Sequence, residues 1–301
     1  MKRVLVTGSN GFIGTHVCKY LLSKQYYVIG LDIAGNSRHE YVSEYIPWML
    51  SENIHEDFLN GRDIFAVVHL AADMRHEPDE IEVVLHNCTG EQHLLELCEK
   101  NNVQVFVQLS SLPVIGTPIE HPITESHPIK PPTVYHGTKR MMEILADYAH
   151  YMHGLRTVSY RICAPVGTGM NQNTIFPTFV RKALAGEDLV IYGEGTREQT
   201  YIHVIDIARA IESAIESERA QGVYNLASYN RLSNIELAKK IVEVTKSPSK
   251  IIKNGKTDPL DGIVWDISIE KLKADTGFEP VISIESAISE QVEFIKGKNN
   301  E

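Results

Sequence analysis

The sequence is poor in the residues that build disulfide or metal frameworks. It has four cysteines, Cys18, Cys88, Cys98 and Cys163. None forms a Cys-x-x-Cys pair, and no His/Cys cluster has the spacing of zinc ligands, so neither a bound metal nor a stapled scaffold is expected. Four unpaired thiols in a chain of 301 residues suit a reducing, cytoplasmic setting. Basic charge is also short: 29 Lys and Arg face 39 Asp and Glu, a formal net charge of -10. An acidic surface repels phosphate backbones and anionic lipid, which argues against nucleic acid or a membrane surface as partner. No apolar run reaches membrane length, and no signal-peptide core precedes the first strand-like run at residues 2–7.

What the chain does have is alternation. Continuous Val/Ile/Leu-rich runs at 3–7, 27–32, 64–70, 103–109 and 156–162 read as strands covered on both faces. Helical patterns at 11–24, 79–100 and 134–151 lie between them. Strand–helix–strand repetition predicts an α/β fold, a Rossmann-type doubly wound parallel sheet. The rhythm changes after Gly167, with a helix at 174–185, a glycine turn at 193–195, a strand at 200–203 and a helix at 204–217. The expected organisation is a dinucleotide-binding domain over 1–166, rejoined by part of 188–218, and a smaller α/β substrate lobe over 167–301. The tail 296–301 is expected to fray.

Thr7-Gly8-Ser9-Asn10-Gly11-Phe12-Ile13-Gly14 follows the first strand and opens the first helix. Gly8 permits a tight turn, Gly11 lets the backbone approach a pyrophosphate, and Gly14 lets helix and strand pack closely. The helix N-terminus then offers N–H groups to the phosphates. Asp32 ends the second strand, 18 residues past Gly14. A carboxylate there accepts hydrogen bonds from ribose hydroxyls and repels a 2′-phosphate, so NAD is expected over NADP, although Arg38 follows closely. Asp57 and Phe58 are read as adenine contacts, with a surface-loop acid the alternative for Asp57. Leu70, Ala71 and Ala72 end the next strand with residues small enough for close cofactor approach.

Tyr135 and Lys139 stand four apart on a predicted helix and share one face. Bringing a tyrosine from its usual pKa of about 10 to neutrality requires about 4 kcal/mol of differential stabilisation. A nearby ammonium and a positive nicotinamide favour the phenolate. Such a Tyr removes a hydroxyl proton while hydride leaves the carbon. Tyr20 and Lys24 repeat the spacing, but on the helix after the glycine turn. Tyr135 differs in following a strand that ends near Ser110 and Ser111, where open α/β sheets bind ligands. Ser111 is placed to hydrogen-bond the reacting oxygen. His136, His203 and Asp206 read as structural.

Together these residues resemble the extended short-chain dehydrogenase/reductases, and within them the NAD-dependent nucleotide-sugar epimerases of the UDP-sugar 4-epimerase kind. The likeness covers nearly the whole chain. It includes Gly8–Gly14, Asp32, 69–72, Asn87 (a cofactor-side residue by this likeness), Ser110-Ser111, Tyr135 with Lys139, 161–167, and 193–206. Residues 266–280 look like the final helix and turn. The resemblance implies tightly held NAD, oxidation of a sugar C4 hydroxyl to a ketone, and hydride return to the other face. It also implies a homodimer through the helices near 79–100 and 134–151. Three departures touch the substrate diphosphate. Ala164 stands where such epimerases carry Asn, and Gln199 where they carry Arg. An expected Arg before Asp266 has no counterpart. Arg197, reaching from the glycine turn, is the candidate replacement. Leu112 and Pro113 occupy the positions where 4,6-dehydratases carry Asp-Glu. Three readings stay open: a 4-epimerase, a one-way keto-sugar reductase or sugar dehydrogenase, and a non-catalytic NAD-binding protein.

Overall fold

The computed structural model describes residues 1–34, 39–51, 58–75 and 80–298. Asp57 and Arg38 lie outside the described residues.

The chain begins with β1 (Arg3–Thr7), α1 (Phe12–Ser23), β2 (Tyr27–Asp32), β3 (Glu44–Pro47) and β4 (Ile64–His69). Two short helices, α2 (Glu80–Val84) and α3 (Gly90–Lys100), flank a π-helical turn at Leu85–Thr89. Then come β5 (Val105–Ser111), α4 (Val134–His153), β6 (Arg156–Ile162) and β7 (Ala164–Val166). The second half holds α5 (Ile175–Leu184), β8 (Leu189–Ile191), β9 (Glu198–His203), α6 (Val204–Glu216) and β10 (Gly222–Leu226). It ends with β11 (Asn230–Ser233), α7 (Asn234–Thr245), β12 (Ile251–Lys253), α8 (Glu270–Thr276) and α9 (Ile284–Lys298).

Seven strands form one sheet in the order β10-β6-β5-β4-β1-β2-β3, every pair parallel. The order reverses beside β1, which places a crevice between the ends of β1 and β4. Val4, Val6, Val68, Val107 and Tyr160 bury one sheet face beneath α1 and α6. Leu5, Ile29, Val67 and Phe106 bury the other with Leu94 and Leu95 of α3. This two-sided burial explains the uninterrupted apolar strands. The chain rejoins the large sheet through α6, β10 and α8, a longer return than 188–218. A separate apolar cluster joins Phe176 and Val180 of α5, Leu237 and Ile241 of α7, and Ile288 of α9.

Local signals account for several boundaries. Thr133 caps α4 by accepting from His136 N–H, and Gly154 ends that helix in the left-handed conformation. Ser233 and Glu236 form a reciprocal capping box on α7. His203 caps α6, and Asp206 accepts the N–H groups of Val281 and Ile282, so both residues have structural roles. Two elements differ from expectation. The helix expected over 79–100 runs over residues 80–100 and contains a π-helical stretch at Leu85–Thr89 that was not expected, with Asn87 buried inside it. The last helix is α9, beyond the final helix and turn expected within 266–280, and it extends through Lys298. Its signal is the apolar series Ile284, Ile288, Val292, Ile295 at helical spacing.

Candidate active site

A cavity of about 1100 Å³ opens at the C-terminal ends of the strands and runs from the glycine turn to the smaller lobe. Gly8, Gly11, Phe12, Ile13 and Gly14 line one end. Gly8 has φ +66°, and a Cβ there would lie 2.7 Å from Ala71 N. A Cβ on Gly14 would lie 2.0 Å from Gly8 O, so only glycine lets α1 start so close to β1. The N-terminus of α1 has Gly11 as its cap and no side-chain hydrogen bond, leaving its amides to an anion. Asp32 lines the same end, and its carboxylate accepts Asn10 N–H at 3.0 Å. An uncapped helix start, a turn without room for a side chain, and a carboxylate at the tip of the second strand fit a dinucleotide.

Leu70, Ala71 and Ala72 form the opposing wall. Thr7 Oγ1 accepts the N–H groups of Leu70 and Ala71, both at 3.2 Å, and pins this wall to β1. The same hydroxyl meets His69 Nδ1 at 2.7 Å. Burial, aided by the Lys139 charge, lowers the His69 pKa to about 3 and keeps that ring neutral. Asn87 also lines the cavity. Its amide accepts from Asp73 N at 2.7 Å and donates to Asp73 O and Thr138 Oγ1, both at 2.9 Å, linking the β4 exit to α4.

Ser111, Tyr135 and Lys139 all line the cavity. β5 runs two residues further than the expected 103–109, so Ser111 sits at the strand tip, paired with Ile162. Tyr135 and Lys139 share one face of the first turns of α4, with Lys139 Nζ 6.0 Å from the Tyr135 ring centroid. Lys139 is 3% exposed and donates to Leu109 O at 2.8 Å. Burial lowers its pKa to about 8, against the opposing fields of Glu91, Cys88 and Glu143. Burial pushes the Tyr135 phenol up to about 12. Below them Glu143 accepts from Ser110 Oγ at 2.6 Å, from Arg161 Nε at 2.9 Å, and from Arg140 at 2.8 Å. These partners hold the Glu143 carboxyl below its ordinary value despite burial.

At the lobe end the walls are Leu112, Pro113, Cys163, Ala164, Pro165, Arg197, Gln199, Thr200, Trp265 and Ile267. Asp261 fixes the turn before Arg197 by accepting Glu194 N at 2.7 Å and Thr196 N at 3.0 Å. The Arg197 guanidinium has no ion pair among the described residues.

Phe58 departs from expectation. It is not part of the cavity wall; its ring packs edge-on against Trp48, centroids 5.2 Å apart, in the core beneath. Residues 48–51, which follow β3, line the cavity near Asp32 instead. Trp265 and Ile267 were also not foreseen. They reach the cavity because Ile123 N donates to Asp266 O at 2.6 Å and Ser268 N to Ile123 O at 2.9 Å. That pairing spans more than a hundred residues and leaves no local sequence signal.

The chain belongs to the NAD dependent epimerase/dehydratase family, whose model matches residues 4–227. It is 27% identical to dTDP-glucose 4,6-dehydratase of Streptomyces niveus, over 98% of this chain and 93% of that protein. It is 26% identical to UDP-glucuronic acid decarboxylase 6 of Arabidopsis thaliana, over 95% of this chain and 86% of that one. Among solved structures it resembles UDP-N-acetylglucosamine 4-epimerase from Methanobrevibacter ruminantium M1, with a TM-score of 0.87, 26% identity and 99% of each chain covered. The extended short-chain dehydrogenase/reductase likeness read from the residues is thereby met.

Proposed function

We propose that this enzyme holds NAD and epimerises a nucleotide-diphosphate sugar at C4 through a transient keto-sugar. The relatives named above act on nucleotide sugars in three different ways: dehydration, decarboxylation and epimerisation. The observation that carries the choice is the wall beside Ser111, where Leu112 and Pro113 line the cavity and neither can donate or accept a proton at its side chain. These are the positions where the 4,6-dehydratases that the chain resembles carry Asp-Glu, the acid and base for elimination of water.

Gly8, Gly11, Gly14 and the start of α1 would hold the NAD pyrophosphate, and Asp32 the adenine ribose. NAD supplies the hydride acceptor and donor. Ser111 hydrogen-bonds the sugar oxygen, and Tyr135 takes its proton as the alcohol becomes a ketone, then returns it. Lys139, tied to Leu109, keeps a positive charge on the helix face it shares with Tyr135, and such a charge favours the phenolate. Residues 1–166 with the returning segments carry the cofactor, and 167–301 supply the sugar-nucleotide wall, where Arg197 and Gln199 face the diphosphate.

The protein is read as a cytoplasmic homodimer. Its four cysteines are free thiols. Ile81, Val84 and Leu85 stand exposed beside α4, whose Met141, Ile144 and Tyr148 are also exposed. Such an apolar face suits burial against its own copy.

The test is to identify the cofactor that co-purifies and then supply a panel of nucleotide sugars. Interconversion of C4 epimers with no net NADH change supports the reading. Stoichiometric NADH consumption establishes the one-way reductase, and bound NAD without turnover of any sugar establishes a non-catalytic protein.

A further inference from the structure

Thr7 and His69 are the last residues of β1 and β4, and they pair across the sheet at the mouth of the cofactor crevice. Both are buried, Thr7 with 0% and His69 with 2% of its surface exposed. Thr7 Oγ1 lies 2.7 Å from His69 Nδ1 and accepts Ala71 N–H at 3.2 Å. Leu70 N–H is shared between the same hydroxyl oxygen, at 3.2 Å, and the Thr7 carbonyl, at 3.3 Å. The segment tied in this way is the one the glycine turn approaches most closely. A Cβ on Gly8 would lie 2.7 Å from Ala71 N and 2.9 Å from Leu70 C.

These contacts decide which imidazole nitrogen carries hydrogen. A hydroxyl has one hydrogen to give and two lone pairs to receive. The Thr7 oxygen already receives from two amides, so its own hydrogen needs an acceptor. Among the described residues the acceptor in reach is His69 Nδ1. If Nδ1 carried a proton, three N–H groups would converge on one oxygen. The hydroxyl hydrogen would then be left without a partner in a dry interior, which is costly.

We propose that His69 is locked as the neutral Nε2–H tautomer, with Nδ1 accepting from the Thr7 hydroxyl, and that this pair sets the Leu70–Ala71 wall against which the cofactor seats. His69 is a positioning residue that acts through Thr7. The proposal rests on Leu70 and Ala71 forming the cofactor wall, and not on which sugar reaction follows. It also takes His69 out of the proton transfer in the cavity that it lines. Nε2 already holds a hydrogen, and a proton on Nδ1 would break the tie to Thr7.

The surroundings agree. The His69 ring lies beside Phe106, centroids 5.9 Å apart, and has no carboxylate in hydrogen-bond contact among the described residues. The charged group that acts on it is the Lys139 ammonium, which disfavours an imidazolium, as burial does.

The direct test is heteronuclear NMR of the imidazole nitrogens in histidine-labelled protein at neutral pH, with the His69 signals identified by their loss in His69→Asn. The expected result is a protonated Nε2 and a bare Nδ1. An Nδ1–H tautomer or an imidazolium overturns the proposal. This readout needs no turnover, so its failure is separable from failure of the assigned sugar chemistry. The role of the pair is read from NAD affinity by isothermal titration. Thr7→Val and His69→Leu should each weaken NAD binding by about fivefold or more. The double variant should lose no more than Thr7→Val alone, because His69 acts only through that hydroxyl. Thr7→Ser restores the hydroxyl, and His69→Asn offers its Oδ1 as acceptor in place of Nδ1. Both should bring the affinity back to within about twofold of the natural protein. Losses that add in the double variant, or natural affinity in Thr7→Val, overturn the role assigned to the pair.

Discussion

Lys139 reaches across from α4 to donate to the backbone carbonyl of Leu109 at 2.8 Å, two residues before Ser111 on the same strand. One contact thus binds the helix that bears Tyr135 to the strand that bears Ser111. It also buries an ammonium, whose pKa falls to about 8. The sign follows. Below about 8 the ammonium is present on the same face as the phenol, where a positive charge favours the phenolate; above it the charge is lost. Turnover should therefore decline as pH rises through about 8, as measured by kcat across pH 6 to 10 with cofactor saturating. For stability the sense is opposite. The folded-state value lies below the 10.5 of an unperturbed lysine, so the cost of burying the charge is full below 8 and relieved as pH rises from 8 to 10.5.

Glu143 and Arg161 form a two-point ion pair, 2.9 Å and 2.8 Å, with both side chains nearly inaccessible. Removing one partner strands the other. Arg161→Met should cost about 3–5 kcal/mol of unfolding free energy by denaturant titration. Replacing both by apolar residues should cost clearly less than the sum of the single losses. Additive losses would show that the two side chains act independently.

Asp32 stands at the adenine end of the cavity with one carboxylate oxygen on Asn10 N–H. Asp32→Asn removes the charge that repels a 2′-phosphate. The NAD preference over NADP, measured as a ratio of dissociation constants, should fall about tenfold or more, equivalent to about 1.4 kcal/mol. An unchanged ratio would remove Asp32 from the ribose site.

Arg197 projects from a turn that Asp261 holds. Under the proposed function its guanidinium meets the diphosphate in place of the Arg absent at Gln199. Arg197→Ala should weaken nucleoside-diphosphate binding by about ten- to a hundredfold, with NAD affinity unchanged. Isothermal titration with the nucleoside diphosphate alone measures this, and equal affinity would reject the assignment.

The large sheet was legible because its strands are apolar on both faces, so length and composition alone mark them. The glycine turn and the Tyr135–Lys139 pair were legible because each is a local pattern in a strand–turn–helix context. Phe58 misled because an aromatic next to a loop acid reads the same whether it faces a cofactor or, as here, Trp48. Trp265 and Ile267 depend on a bridge from Ile123 to Ile267. Such pairings are products of tertiary register, which no window of sequence contains. The π-helical stretch at Leu85–Thr89 hid for a different reason: a π turn adds about one residue per turn without changing composition.

Tyr135→Phe, assayed with the cofactor still bound, bears most directly on the chemistry assigned to this cavity. The ring, its packing and the N-terminal turn of α4 remain, and one hydroxyl is lost. Turnover should fall by about 10²–10⁴-fold while NAD co-purifies in the natural amount. A variant that keeps its NAD and interconverts sugar nucleotides at the natural rate would contradict the account.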